Sequence, residues 1–309
     1  MKENIRIGYG KYIAKLGGAN QEIILLEGDL ADSTCSDIFQ NEHPDRHFQM
    51  GIAEQNMVGV AAGLAQEGKI PFVNTFAVFI AMRACEQVRT SVAYPNLNVK
   101  FVVSHSGLSA GSAGPTHHTL EDIAIMRSIP NMTVLVPGDV MEVEQIIDAS
   151  IKHKGPVYIR NSATDVEPIA DKPDFEIGKA TKIRDGNDVT IITTGIMMQK
   201  GLEASIKLEE NYGIGARLLQ MASIKPIDER AIIDAAIETK FIVTVEEHNI
   251  LGGLGGAVAE VVSMNGQSKV LRIGINDHFS GIGTPEYLLA AEGLTSEEII
   301  KTILQELNE

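Results

Sequence analysis

Short apolar runs alternate with longer amphipathic stretches along this sequence, and that alternation narrows the choice of fold more than any other feature. Thr133–Val136 is β-rich and closed by Pro137-Gly138, and Val99–Val103 and Val157–Ile159 read as further strands. Between them, Met57, Val60, Ala61 and Leu64 recur at helical spacing within 53–65. Val140, Val143, Ile147 and Ile151 do the same within 139–151. Strands that are apolar along their length are covered on both faces. The expected class is therefore α/β, with a parallel sheet between helical layers. An earlier strand, 22–26, ends in the polar turn Glu27-Gly28-Asp29.

The pattern lapses once, in a stretch of prolines and acids that includes Glu167-Pro168 and Asp171-Lys172-Pro173-Asp174. Turn-forming residues of this kind mark a connection between units. A second alternating block follows, with strands expected at 188–193, 216–221, 241–245 and 270–273. Helices are expected at 198–210, 228–237, 255–262 and 296–307. With 309 residues, two α/β domains are the natural division: 1–165, a linker 166–178, and 179–309.

Composition removes several classes of function. The chain has 26 Lys+Arg against 41 Asp+Glu, a net charge of −15, which repels a nucleic-acid backbone. No apolar run reaches the roughly 20 residues of a membrane-spanning helix, and the first residues lack the apolar stretch of a signal peptide. Cys35 and Cys85 alone make no disulfide framework, and no Cys-x-x-Cys pair proposes a structural metal. The expectation is a cytoplasmic protein with no nucleic-acid or membrane partner and no metal ligands of its own.

Four segments can carry chemistry. Glu54 opens an apolar helix after a glycine turn; a helix-dipole carboxylate fits that position, and so does an acid entering a buried site where burial raises its pKa. Phe76, Phe79 and Met82 fall at i, i+3 and i+6, a spacing suited to core packing or to a flat stacking platform. After the strand ending in Val103, the segment Ser104–His118 is rich in glycine and holds His105, His117 and His118. In open α/β sheets ligands bind beyond the carboxyl ends of the strands, where histidines suit proton transfer or hydroxyl binding. Arg160 follows the strand 157–159, as an ordinary surface arginine or as a phosphate ligand. The run Gly252-Gly253-Leu254-Gly255-Gly256 lacks the lysine of a P-loop and reads as a tight turn letting a helix start close to the sheet.

Taken together, Met50-Gly51-Ile52-Ala53-Glu54-Gln55-Asn56-Met57, Thr75-Phe76-Ala77-Val78-Phe79, Gly114-Pro115-Thr116-His117 and Glu246-Glu247-His248-Asn249 resemble the transketolase family of thiamine-diphosphate enzymes. The likeness is to the C-terminal half of that family and covers essentially the whole chain. It implies a pyrimidine-binding domain followed by a transketolase C-terminal domain. It also implies that Glu54 is the acid that exchanges a proton with the cofactor's aminopyrimidine ring, and that Phe79 stacks on that ring with Phe76 beside it. Met82 falls where many relatives carry a tyrosine in the same pocket, and Asp29 resembles an acid near the thiazolium and the dimer contact. By the same resemblance His105 and His117 contact substrate hydroxyls or the reacting oxygen. Arg6, Ser33 and Arg160 align with groups that hold a sugar phosphate.

Two departures shape the expectation. Ala113 stands where transketolases usually place an aspartate that binds a donor hydroxyl, and a branched or modified sugar is compatible with its loss. The family's Gly-Asp-Gly…Asn motif, which holds the diphosphate and Mg2+ (or Ca2+), is absent from the 309 residues. The resemblance then implies the C-terminal subunit of a split transketolase, working with an N-terminal subunit that carries that motif in an α2β2 heterotetramer. Self-association would use the same interface. Other readings are the β subunit of a 2-oxo acid dehydrogenase, which shares the domain pair and the glutamate, and a non-catalytic assembly homologue, which Ala113 and Met82 keep open.

Overall fold

The computed structural model describes residues 2–169, 172–265 and 268–308. In chain order the first unit contains β1 (Glu3–Asn4), α1 (Ile5–Ala19), β2 (Ile23–Glu27), α2 (Ala31–Thr34), α3 (Asp37–Glu42), β3 (His47–Gln49) and α4 (Glu54–Gln66). It continues through β4 (Ile70–Phe76), α5 (Cys85–Gln87), β5 (Lys100–Ser104), α6 (Asp122–Ser128), β6 (Thr133–Leu135), α7 (Val140–Lys152), β7 (Val157–Arg160) and β8 (Asp165–Val166). The second unit holds β9 (Thr181–Arg184), β10 (Val189–Thr193), α8 (Met197–Tyr212), β11 (Ala216–Gln220), β12 (Ser223–Lys225) and α9 (Glu229–Glu238). It ends with β13 (Phe241–Asn249), α10 (Leu254–Asn265), β14 (Lys269–Ile275), α11 (Pro285–Ala291) and α12 (Ser296–Asn308).

The first sheet has the order β12-β6-β7-β5-β4-β2-β3, and every pair within it is parallel except β12 with β6. Strands β2, β5 and β7 are buried at every position, and β4 at all but its first, as strands covered on both faces must be. The second sheet, β14-β13-β10-β11-β9, is parallel apart from β9. Helices start where the sequence supplies caps: Asp139 accepts from Glu142 N at 2.8 Å to open α7, and Asp228 accepts from Ala231 N at 3.1 Å to open α9. Strand β12 leaves the second unit to pair with β6, so residues 223–225 extend the first sheet across the domain boundary.

Residues 170 and 171 of the expected linker 166–178 lie outside the described residues, as do 1, 266, 267 and 309 of the two expected units. The rest of the linker is fastened down. Val166 pairs with Glu3, Lys172 forms a buried ion pair with Asp139, and Gln145 binds both Asp174 Oδ1 at 2.7 Å and Phe175 N at 3.0 Å.

Register sets the position of the candidate site. Glu27 lies opposite Asn74, Phe76 opposite Ser104, and Val103 opposite Arg160, so β2, β4, β5 and β7 end together at one edge of the sheet. Most of the sequence-derived candidates leave the chain at or just beyond that edge.

Candidate active site

Glu54 is the first residue of α4, where unpaired backbone N–H groups favour a negative charge. It is 1% exposed. Its carboxylate is not isolated in an apolar pocket: Arg83 Nη1 donates to Oε1 at 2.8 Å and to Oε2 at 2.9 Å. The same guanidinium lies 4.5 Å from the centroid of the Phe79 ring, a cation–π contact. Arg83 closes a π-helical turn, Phe79–Arg83, that is separated from the end of β4 by two residues. The expected i, i+3, i+6 face therefore does not form as an α-helical stripe.

The aromatic residues make a wall instead. Phe76 and Phe79 are stacked with centroids 5.8 Å apart and planes at 9°. His105 stacks on Phe76 at 4.0 Å, and His117 stands edge-on to Phe79 at 5.7 Å and to Phe76 at 6.3 Å. Glu54, Arg83, Phe79, Phe76, His105 and His117 thus form one continuous chain of contacts. Met82 lies beside this chain, half-exposed, in a small cavity with Pro115, His118 and Phe279.

His105 follows β5 with φ of 54°, a left-handed conformation that costs a non-glycine residue about 1 kcal/mol. Two bonds from Ser106, N at 3.4 Å and Oγ at 2.9 Å to Asn161 O, hold the turn that follows. Burial pushes the His105 pKa down to about 4, and the neighbouring charges of Arg6 and His117 push the same way. The ring is therefore neutral at physiological pH, with Nδ1 3.0 Å from Ser104 Oγ. His117 Nδ1 lies 2.9 Å from Thr116 Oγ1. His118 is different: it is buried, and its Nε2–H donates to Gly111 O at 3.0 Å. Among the described residues no group of three His, Cys, Asp or Glu is placed to hold a metal.

Arg6 and Ser33 are brought together by a 2.6 Å bond from Arg6 Nη1 to Ser33 O, and a second bond from Arg6 Nε to Asn4 Oδ1 at 3.1 Å fixes the guanidinium. Asp29 is exposed, with φ of 66° and its N–H donating to Gln49 Oε1 at 2.7 Å. Arg160 does not project from the strand end as expected. It is the last residue of β7, 4% exposed, and its Nε donates to Asp122 Oδ2 at 2.8 Å. Its Nη2 donates to Thr119 O and Glu247 O, both at 3.1 Å. The buried carboxylate of Asp122 draws the guanidinium into the boundary between the domains rather than toward the open edge.

Three neighbours of the candidate site were given no role from the sequence, although Glu246 stands in one of the quoted motifs. Arg83 lies one turn after Phe79, and that spacing is its signal in the sequence. Glu27, at the end of β2, accepts from Gly28 N, Leu30 N, Thr34 Oγ1 and Ser36 Oγ, and so shapes the loop that presents Asp29 and Ser33. Burial pushes Glu27 up to about 7, against the pull of those bonds. Glu246 accepts from Leu254 N at 2.6 Å and Gly255 N at 2.8 Å, so the protein's own carboxylate fills the start of α10. Gly253 packs against that carboxylate, which accounts for the glycine at that position.

Residues 2–167 match the transketolase pyrimidine-binding domain, and residues 178–299 match the transketolase C-terminal domain. A Methanocaldococcus jannaschii protein named as a transketolase C-terminal section is 47% identical over 99% of this chain and 96% of its own length. A 6-deoxy-6-sulfo-D-fructose transketolase subunit of a Clostridium strain is 40% identical over 96% of this chain and 92% of its own. Among solved structures, a split-gene transketolase described as an inactive β4 tetramer superposes with a TM-score of 0.89 at 43% identity, over 99% of this chain and 98% of the other. With its pyrimidine-binding domain leading into a C-terminal domain around one edge of a parallel sheet, the chain belongs to the transketolase family.

Proposed function

We propose that this chain is the C-terminal subunit of a two-chain transketolase, transferring a two-carbon ketol unit between phosphorylated or otherwise modified sugars. The observation that carries the reading is the grouping of buried Glu54 with the Phe76–Phe79 stack and two histidines, in a chain without a diphosphate motif. A carboxylate beside a flat aromatic wall fits an aminopyrimidine ring, so Glu54, Phe76 and Phe79 would hold that end of thiamine diphosphate, with Met82 and Asp29 nearby. When bound, the cofactor supplies the electron sink for breaking a carbon–carbon bond next to a carbonyl.

This chain's residues orient the ring and manage protons. Glu54 presents two oxygens to a ring nitrogen, and Arg83, which now holds both, shares or yields that carboxylate on binding. His105, neutral at pH 7, can accept or donate one hydrogen bond to a sugar hydroxyl without carrying charge. His117 faces the same wall from its edge. Arg6 and Ser33 provide polar and cationic groups on the β2 side for a sugar phosphate; Arg160, bonded to Asp122, Thr119 O and Glu247 O, would have to turn out of the domain boundary to join them.

A partner subunit with Gly-Asp-Gly…Asn would hold the diphosphate and Mg2+ (or Ca2+), most simply in an α2β2 assembly. Large apolar side chains are exposed near Glu54: Ile52 at 75%, Met82 at 46% and Phe48 at 44%. Such residues are natural material for a subunit interface. The relative described as an inactive β4 tetramer is consistent with self-association through that surface when no partner is present. The sulfosugar relative, named as a subunit, supports a modified sugar as donor, in keeping with Ala113.

Mixing this chain with a chain carrying the diphosphate motif, thiamine diphosphate and Mg2+ tests the reading. Ketose–aldose exchange is expected from the mixture and from neither chain alone. Pyruvate decarboxylation without ketol transfer would replace it with the 2-oxo acid dehydrogenase reading.

A further inference from the structure

The loop from His105 to Thr119 closes on itself at a neck. Gly107 N donates to Thr119 O and Thr119 N donates to Gly107 O, each at 3.1 Å. His105 and His117 each lie two residues before one member of that pair, so the neck fixes where both imidazoles start. Its outer side is built by the C-terminal domain. Glu247, 4% exposed, accepts the Leu108 N–H at 2.8 Å through Oε1. Gly107 has φ of +61°, and a Cβ there would run into the Glu247 carboxyl carbon, so only glycine lets the two approach. Asn249 N donates to Leu120 O at 2.8 Å, and Arg160 Nη2 joins Thr119 O to Glu247 O. The contact recurs along the loop: Gly111 and Gly114, also left-handed, would place a Cβ 3.2 Å from Gly283 O and 2.9 Å from Ile282 Cγ1.

We infer that Glu247 is a positioning residue for the reaction: its carboxylate anchors the neck at Leu108, so the placement of His105 and His117 is set from the C-terminal domain. The inference rests on the reading of those histidines as substrate-facing. Among the described residues, α4, β4 and the π-helical turn Phe79–Arg83, which carry Glu54, Phe76 and Phe79, make no hydrogen bond with Glu247. The carboxylate therefore acts on substrate and transition state rather than on cofactor affinity.

The test uses the reconstituted two-chain complex with Glu247→Ala, Glu247→Gln and Glu247→Asp, and amide exchange on this chain alone. For Glu247→Ala, kcat/KM for ketol transfer should fall on the order of 10–100-fold, the cost of misplacing groups by about an ångström. Thiamine diphosphate affinity should stay within about twofold. Glu247→Gln keeps an acceptor for Leu108 N–H and should restore transfer to within about threefold of wild type. Glu247→Asp, whose oxygens fall short by one carbon–carbon bond, should transfer markedly more slowly than Gln. The Leu108 amide should exchange at least about tenfold faster in the Ala variant, with Asn161 N–H, bonded to Val103 O, unchanged.

Wild-type transfer by the Ala variant, or a parallel loss of cofactor affinity and transfer, would overturn the inference. If the Ala variant does not fold, an Asp variant as fast as wild type would overturn it. If the wild-type complex shows no ketol transfer, the functional reading fails instead, and an unchanged Leu108 exchange rate would separately remove the anchor.

Discussion

His105 shows how a single side chain can be tuned by its surroundings. Its folded pKa, about 4, lies below the ordinary 6.5, so between those values the unfolded chain binds more protons than the folded one. The stability that comes from keeping this ring neutral is complete above pH 6.5 and is lost as pH falls toward 4. Burial is the largest cause and the Arg6 cation the next. Arg6→Ala should therefore raise the His105 pKa while leaving it below 6.5, read by NMR titration of the ring; an unchanged or lower midpoint would contradict the assigned causes. Glu54 makes a second residue-scale prediction. Arg83→Ala leaves a carboxylate that is 1% exposed without its partner, and unfolding free energy should fall by about 1–3 kcal/mol in urea denaturation. An unchanged midpoint would mean that solvent replaces the guanidinium at no cost. Both effects depend on neighbours distant in sequence: Arg6 lies 99 positions from His105 and Arg83 29 from Glu54.

Elements were legible wherever apolar periodicity was unbroken. Helices α4, α7, α8, α9 and α12 and strands β2, β5, β6, β7, β10 and β11 fall close to where the pattern placed them. Strand β13 runs to Asn249, past the expected 245, because Glu246, Glu247 and His248 are buried polar residues satisfied by the other domain and by α10. No local pattern reports such partners. Helix α1 was missed for a related reason: much of its buried face is glycine, with Gly8, Gly10 and Gly17 in place of side chains. The backbone of Cys35 sits where a Cβ on Gly10 would lie, whereas Gly18, in the same helix, has nothing within 4 Å. Gly10→Ala should destabilise the chain by about 1–3 kcal/mol through overpacking. Gly18→Ala should stabilise it by about 0.5 kcal/mol through lower backbone entropy in the unfolded state. Thermal or urea unfolding decides, and two shifts of the same sign would contradict the packing account. At the site, Glu54, Phe76, Phe79, His105 and His117 lie in one chain of contacts through Arg83. Arg160 was drawn inward by Asp122, a partner 38 residues away.

On the scale of the whole molecule, the two units are joined by more than a linker. Strand β12 completes the first sheet, Arg127 pairs with Glu260 at 2.6 Å, and Glu142 accepts from Gln220 at 3.1 Å. The open edge of the first sheet is thus backed by the second domain on one side, with Ile52 and Phe48 exposed near Glu54. Among the described residues no helix is long and apolar enough to cross a membrane. The exposed apolar side chains beside Glu54 support the proposed reading, in which this chain contributes the acid and a partner chain the diphosphate grip. The most direct measurement of that claim is the rate of two-carbon transfer by the assembled complex with Glu54→Gln. The account predicts a fall on the order of 100-fold or more, the range of a lost general acid–base group, with the complex still formed. Transfer at the wild-type rate would contradict it.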